Sequence, residues 1–216
     1  MGARVVKATG HGELEWGVAE RPLPGEILSG DHHFVAQTAS GWLLAVADGL
    51  GHGAEAAVAS QALVAVLQQH REQPPVELIR LSHEALRSTR GSAAAIVAID
   101  RSRRLLSWVG IGNVEGVILH ADSAASPTEY ITMRGGIVGY RIPGLQPSFL
   151  HLLDGDILAL ATDGIDSDFV RAILPSHPPR ETAASILAHY AKPTDDALIL
   201  VARWRFPATQ QGGNPS

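Results

Sequence analysis

The chain contains no cysteine among its 216 residues, which excludes a disulfide framework and thiolate ligands for a metal or redox site. It also has no apolar run that approaches the roughly 20 residues of a transmembrane helix. Basic residues are in deficit, with 17 Lys and Arg against 22 Asp and Glu and a formal net charge of −5, whereas proteins that bind nucleic acids or anionic membranes carry a basic excess. We therefore expect a globular cytoplasmic protein, monomeric, with no nucleic-acid or membrane partner.

Hydrophobic residues make up 45% of the chain, which is enough to form a full core. The sequence shows no internal repeat and no internal linker rich in Ser, Gly or Pro. Only the stretch 207–216 is poor in apolar residues, and we expect it to be a disordered tail. A single domain over residues 1–206 is the prediction.

Apolar residues follow a strand period in some stretches and a helix period in others, in the order strands, two helices, many strands, two helices and a final strand. The predicted strands span 14–19, 33–38, 42–47, 93–99, 105–109, 114–120, 129–133, 157–162 and 197–204. The predicted helices span 53–70, 76–89, 167–174 and 180–191. This order indicates an α+β fold with a large antiparallel sheet system, in which the strands after residue 93 form a meander.

Four aspartates stand at the ends of predicted strands. Asp31 precedes one strand, Asp48 and Asp163 each end an apolar strand, and Asp195 precedes the last strand together with Asp196. Carboxylates gathered at one sheet edge repel each other unless a cation neutralises them, and oxygen ligands without His or Cys suit Mg²⁺ or Mn²⁺. Asp-Gly is also a common turn sequence, so from the residues alone a turn and a ligand stay equally open.

Three glycines follow Asp48 in the stretch 47–54, between a buried strand and a helix. Such a loop is weakly similar to a dinucleotide-binding fingerprint, but Asp48 would face the pyrophosphate and the next predicted element is a second helix. A metal site fits better. His52 in this loop is a candidate proton donor or phosphate contact beside the metal ligands, and equally a surface histidine without a role.

Side-chain nucleophiles receive little support from the sequence. Ser29 and Ser92 have no assignable histidine–carboxylate partner, and the chain has no Gly-x-Ser-x-Gly elbow. His32 and His33 follow Asp31 directly, and adjacent residues on a strand point to opposite faces. At most one of them can share a site with Asp31, and we expect supporting or surface positions for both.

Five short motifs occur in a fixed order along the chain: Ser-Gly-Asp (29–31), Val-Ala-Asp-Gly-Leu-Gly-His-Gly (46–53), Gly-Ile-Gly-Asn (110–113), Ala-Thr-Asp-Gly-Ile (161–165) and Asp-Asp-Ala-Leu-Ile-Leu-Val (195–201). In this order and at this spacing they resemble the metal-dependent protein phosphatase (PPM) family, over residues 11 to 204. The likeness is strongest to its short bacterial branch, which includes sporulation and stress-response phosphatases.

The resemblance implies a fold, an activity and a cofactor. The fold would be a four-layer α-β-β-α sandwich, in which two antiparallel sheets are flanked by helix pairs. The activity would be hydrolysis of phosphoserine or phosphothreonine on a bacterial signalling protein, such as a stressosome scaffold component. The cofactor would be two divalent metal ions, Mn²⁺ or Mg²⁺, whose bridging water attacks the phosphorus.

Carried over by position, the resemblance also implies roles for individual residues. Asp48 would bridge both ions, and the carbonyl of Gly49 would bind one of them. Asp163 and Asp195 would hold the other ion, which makes these three aspartates the implied catalytic residues. Asp31 would support the site directly or through water.

Some positions depart from the family pattern. Asp196 stands where many members have Asn, so we expect it to contact the ligands rather than an ion. Larger relatives hold the substrate phosphate with an upstream arginine, for which Arg21 is the nearby candidate. The alternative to an enzyme is a catalytically inactive PPM-like binding module, against which the retention of all four aspartates argues. A nucleotide-binding enzyme that uses the glycine loop is the third interpretation.

Overall fold

The computed structural model describes residues 4–8, 13–121 and 128–206, the first of these ranges by its backbone alone. The predicted tail at 207–216 lies outside the described residues. The strands are β1 (Arg4–Ala8), β2 (Leu14–Arg21), β3 (Asp31–Gln37), β4 (Gly41–Gly49), β5 (Ser92–Asp100), β6 (Leu105–Ile111), β7 (Glu115–Leu119), β8 (Glu129–Tyr130), β9 (Met133–Arg134), β10 (Ser148–His151), β11 (Ile157–Ala161) and β12 (Ala197–Trp204). The helices are α1 (Gly53–His70), α2 (Pro75–Ala85) and α3 (Pro179–Tyr190), with a short 3₁₀ helix over Ser167–Ala172.

Two sheets form the centre of the molecule. The first sheet has the strand order β1-β2-β12-β11-β7-β8, and the second has the order β10-β6-β5-β4-β3 with β9 paired to β6. Alternate residues of β4 serve two cores: Leu44 and Val46 pack between the sheets, whereas Leu43 and Ala45 pack against the helices. Both faces of this strand are therefore buried, which explains its continuous apolar sequence.

Helices cover the outer face of each sheet. Leu63 and Leu67 of α1 and Leu78 of α2 pack on the second sheet. Phe169 of the 3₁₀ helix and Ile186 of α3 pack on the first sheet. The four-layer α-β-β-α architecture expected from the resemblance is confirmed, with one difference: the outer pair on the first sheet is a 3₁₀ helix and one α-helix.

The helical segment predicted over 167–174 is a short 3₁₀ helix. The segment has only six helical residues, from Ser167 to Ala172, and Pro175 follows closely. Asp166 caps it by accepting a hydrogen bond from the Asp168 N–H over 2.9 Å, which fixes the tight first turn. A segment of this length does not propagate as an α-helix, and 3₁₀ geometry is usual for such pieces.

The predicted meander is interrupted. Strands β4, β5 and β6 do follow one another as antiparallel neighbours, but β7 crosses to the first sheet and pairs with β11. The single strand predicted over 129–133 is two short strands in different sheets, β8 beside β7 and β9 parallel to β6. The chain therefore passes from the second sheet to the first after Ile111.

The ends of four strands meet at one end of the sandwich. Strand β3 begins there and β4 ends there in the second sheet, and β11 ends there and β12 begins there in the first sheet. The helices of the described residues include none that is long and apolar enough to cross a membrane.

Candidate metal centre

Asp31 and Asp48 lie side by side at this end of the second sheet. They are directly opposite each other in the antiparallel ladder of β3 and β4. Side chains two residues apart on a strand lie on the same face. Asp48 therefore lies on the same face of β4 as Leu44 and Val46, which pack between the two sheets, and its side chain is at the end of this inter-sheet core. Asp31 is the first residue of β3, whereas the sequence predicted that it precedes the strand. Asp48 lies at the end of β4, as the sequence predicted.

Thr162 connects this pair to the first sheet. Its hydroxyl donates a hydrogen bond to Asp31 Oδ2 over 2.7 Å and accepts one from the Leu198 N–H over 2.9 Å. Asp163 follows Thr162 directly, and Asp195 lies just before β12. The four predicted ligand positions therefore come from both sheets and are brought to one end of the sandwich.

Asp196 has a structural function that its geometry makes plain. Its side chain is buried, and its two carboxylate oxygens accept hydrogen bonds from the main-chain N–H groups of Leu23 and Gly30, each over 2.7 Å. The carboxylate thus fixes the loop that leads into Asp31. Because both oxygens are engaged by the main chain, Asp196 fits the predicted supporting position better than a ligand position.

Each Asp-Gly dipeptide places a glycine where another element comes very close. A Cβ at Gly49 would overlap the main-chain carbonyl of Ala56 in α1, and a Cβ at Gly164 would overlap the main chain of Asp196. These glycines are not turn residues of the usual kind. They let α1 and the segment before β12 approach the aspartates.

The carboxylates of the cluster repel one another in a buried setting. Burial, and then the charge of Asp48, raise the pKa of Asp31 well above its usual value of 3.8. Burial, and then the charges of Asp163 and Asp195, raise the pKa of Asp48 to about 7. Burial and the charges of Asp163 and Asp196 also raise the pKa of Asp195. A positive charge placed among these groups would relieve the repulsion.

The donor set fits a hard divalent cation. It consists of carboxylate oxygens together with the main-chain carbonyl of Gly49, which are the ligands that Mg²⁺ and Mn²⁺ prefer. Asp163 is exposed and Asp195 half-buried, so solvent reaches the cluster. Among the residues that the structure describes, no three His, Asp or Glu side chains converge closely enough to hold one ion.

The remaining candidates are distributed around the cluster. His52 lies close enough for its charge to lower the pKa of Asp195, and its Nδ1 is 2.9 Å from Glu26 Oε1. The His32 ring contacts Ser60 of α1 at 2.9 Å, whereas His33 lies 3.6 Å from Glu20 of β2. The two histidines therefore point to opposite faces, as predicted.

Neither serine is placed as a nucleophile. Ser29 Oγ accepts a hydrogen bond from the Asp31 N–H over 3.1 Å. Ser92 is fully buried and its hydroxyl donates to the main-chain carbonyl of Asp48 over 2.9 Å. Arg21, the candidate phosphate ligand, donates instead from Nη2 to the Lys192 carbonyl over 2.6 Å.

Three residues that contact the cluster were not assigned a role from the sequence. Thr162 orients Asp31 as described above, Asn113 donates from its side-chain amide to Asp163 Oδ2, and Lys192 Nζ donates to the Asp163 carbonyl over 2.7 Å. Asn113 ends the motif Gly-Ile-Gly-Asn and Thr162 directly precedes Asp163, so both stand in recognisable motifs. Lys192 has no comparable signal, because only the folded chain brings it near Asp163.

Known proteins share this architecture and sequence pattern. The model of the family described as stage II sporulation protein E (SpoIIE) matches residues 38–205. Phosphoserine phosphatase RsbX of Bacillus subtilis is 25% identical over 177 residues, which cover 82% of this chain and 87% of RsbX.

Two solved structures superpose over most of the chain. One, described as the bacterial stressosome, a modular system adapted to control secondary messenger signalling, is 31% identical with a TM-score of 0.81, over 88% of this chain and 99% of that one. Another is RsbX in complex with magnesium, which is 20% identical with a TM-score of 0.80, over 94% of this chain and 99% of RsbX.

Proposed function

The chain belongs to the SpoIIE family, within the PPM (PP2C-type) protein phosphatases, and from that premise we propose that it removes phosphate from serine or threonine of a bacterial signalling protein. The predicted enzyme class, a protein-serine/threonine phosphatase, is confirmed by this membership and by the relatives. The observation that carries the proposal for this chain is that both sheets bring aspartates to the same end of the sandwich, five in all, and that three of them have raised pKa values.

We propose that Asp48, the Gly49 carbonyl, Asp163 and Asp195 hold two Mn²⁺ or Mg²⁺ ions, with Asp31 supporting them. Such ions, when bound, act as Lewis acids that lower the pKa of a water and stabilise the phosphoryl oxygens. Magnesium is present in the complex of the relative RsbX, which supports the choice of metal.

The protein's own groups prepare this site. The Thr162 hydroxyl orients Asp31, and the Asn113 amide orients Asp163, so that each of these carboxylates keeps one oxygen free of that bond. The Asp196 carboxylate holds the entrance loop. In this arrangement the chain supplies orientation and negative charge, and no side-chain nucleophile is required.

The substrate class follows from the relatives rather than from a pocket. RsbX is a phosphoserine phosphatase, and a chain in a structure described as the bacterial stressosome is 31% identical to this one. We therefore propose a phosphorylated stressosome scaffold protein as the substrate, and a cytoplasmic location and a monomeric enzyme as the setting.

The test is phosphate release from a phosphoserine peptide with Mn²⁺ and with EDTA. We expect Mn²⁺-dependent hydrolysis by the wild type and a loss of at least about 100-fold in kcat for Asp48→Asn, because the variant loses a charged ligand of the ions, and the electrostatic stabilisation that such ions supply is typically worth several kcal/mol. The matched control is Asp100→Asn, which makes the same change at the opposite end of the second sheet, where β5 ends.

Two results would contradict the proposal. One is activity that persists in EDTA, and the other is equal activity of Asp48→Asn and Asp100→Asn. Failure of the wild type to bind Mn²⁺ in calorimetry, together with no hydrolysis, would favour the inactive binding module instead.

A further inference from the structure

A basic side chain lies beside the glycine loop that follows Asp48 and has no place in the proposed ligand set. Arg90 stands in the connection between α2 and β5. Ser92 is opposite Gly49 in the ladder of β5 and β4, and this pairing continues past the strands, since the Leu50 N–H donates to the Gly91 carbonyl over 3.0 Å. The same antiparallel register sets Arg90 beside the glycine loop that follows Asp48.

The guanidinium of Arg90 lies against Gly51. This glycine has a φ of 86°, in the left-handed region, and a Cβ there would stand 2.9 Å from Arg90 Nη1. Gly51 is three residues from Asp48, so their Cα atoms are at most about 10 Å apart. Because residue 51 has no side chain, the guanidinium can lie directly against the loop that follows Asp48.

Arg90 is available for a ligand because its present partner is weakly held. It forms an ion pair with Glu55, whose side chain is 69% exposed, while that of Arg90 is 48% exposed. Exposed pairs of this kind add little stability and exchange readily. Two other basic groups at this end are engaged by main-chain carbonyls: Arg21 donates to Lys192, and Lys192 donates to Asp163.

A groove opens beside this guanidinium. Its volume is about 340 Å³, and it is lined by Glu55, Val58, Ser88, Thr89 and Arg90. Val58 is 56% exposed and offers an apolar wall next to the two hydroxyl side chains. These residues form a surface on which a substrate peptide could lie next to the guanidinium.

We infer that Arg90 binds the phosphoryl group of the substrate at the edge of the metal centre, a role that the resemblance gave to Arg21. Arginine suits this role because its planar fork of N–H groups donates two parallel hydrogen bonds to phosphate oxygens. On binding, the phosphoryl group replaces the carboxylate of Glu55 as the partner of the guanidinium. The inference rests on the proposed function.

The experiment compares Arg90→Ala, Arg90→Lys and the control Arg87→Ala in the full chain. Arg87 is another exposed arginine paired with a glutamate, Glu84, on the chain just before Arg90. Each variant is assayed with Mn²⁺ on a phosphoserine peptide and on p-nitrophenyl phosphate. Inorganic phosphate is used as the probe for binding, by calorimetry and as a competitive inhibitor.

For Arg90→Ala we expect kcat/KM to fall about 10- to 100-fold on both substrates, mainly through KM, because charged hydrogen bonds to an oxyanion are lost. The affinity for inorganic phosphate falls by a similar factor. Arg90→Lys retains part of both quantities, since the charge remains but the fork does not. Arg87→Ala matches the wild type, and the melting temperatures of all variants agree.

Two outcomes overturn the inference. The first is that Arg90→Ala leaves the phosphate affinity and the KM for p-nitrophenyl phosphate unchanged. This outcome overturns the inference even if the peptide reaction is impaired, because the arginine then contacts the peptide and not the phosphoryl group. The second is an equal loss for Arg87→Ala. If the wild type binds phosphate through Arg90 but hydrolyses nothing, the inference stands and the proposed function fails.

Discussion

Single residues at the proposed metal centre carry negative charges that repel one another when no cation is bound. Asp48 is the clearest case, because burial and three neighbouring carboxylates raise its pKa from 3.8 to about 7. The folded chain thus holds this proton more tightly than the unfolded chain does. Stability associated with it is fully present below about pH 4 and is lost as the pH rises through about 7.

We predict that the metal-free protein loses unfolding free energy between pH 5 and pH 8. A pKa displaced this far corresponds to on the order of 4 kcal/mol over the whole titration, of which the larger part falls within that window. Urea unfolding in EDTA at both pH values measures it. Asp48→Asn, which cannot titrate, is expected to flatten this dependence and to be the more stable protein at pH 8; a wild-type stability that rises over this window would contradict the argument.

The residue scale also shows what the sequence can and cannot predict. Asp31, Asp48, Asp163 and Asp195 are recognisable because each stands beside an apolar strand in a motif. Their mutual placement depends on which strands pair, and the Thr162–Asp31 hydrogen bond joins residues 131 positions apart. No local pattern encodes a contact of that separation, and the same holds for Lys192.

At the scale of elements, the packing of α1 on β4 determines how near the helix comes to the aspartates of the proposed metal centre. Gly49 is the contact point, since a Cβ there would overlap the Ala56 carbonyl. That carbonyl belongs to the helix main chain and cannot turn aside as a side chain would. The helix would have to shift as a whole to admit even a methyl group.

We predict that Gly49→Ala lowers the free energy of unfolding by about 3 kcal/mol or more, as expected when main chain must move in a packed interior. The matched control is Gly135→Ala, because a Cβ at that glycine meets nothing within 4 Å. Thermal and urea unfolding of the two variants in EDTA give the comparison. Equal stability of Gly49→Ala and Gly135→Ala would show that α1 is not seated on β4 as described.

The strands that are buried between neighbouring strands and layers could be predicted from the sequence, whereas two short strands at the sheet edges, β1 and β10, could not. The long central strands, such as β4 and β12, are apolar on both faces and are marked clearly in the sequence. Strand β10 was not predicted, because it is only four residues long and alternately exposed, and β1 pairs in the described chain with β2 alone. Short edge strands gain little from burial, so their residues need not follow an apolar pattern.

At the scale of the whole molecule, the structure shows where part of the negative charge that makes up the net charge of −5 lies. Five of the acidic residues meet at one end of the sandwich. Two divalent cations would contribute +4 there, so part of the acidity counted in the sequence reflects the proposed metal centre and says little about the outer surface. The argument against a nucleic-acid partner is unchanged.

We predict that Mn²⁺ raises the melting temperature in a concentration-dependent manner, because an ion that binds only the folded chain stabilises it by mass action. Asp48→Asn is expected to lose most of this increment, and Asp100→Asn to keep it. Differential scanning fluorimetry across a Mn²⁺ series, with EDTA as the zero point, provides the measurement. An equal rise for both variants would indicate binding elsewhere on the surface.

The placement of the aspartates on both sheets has a further consequence. Asp31 and Asp48 belong to the second sheet, whereas Asp163 and Asp195 flank strands of the first. Opening the sandwich at this end would separate the four carboxylates. Ions shared among them would therefore link local opening of one sheet to that of the other. Amide hydrogens of β3, β4, β11 and β12 would then exchange with solvent as one cooperative unit, and the sheets would regain independent protection when the ions are withdrawn.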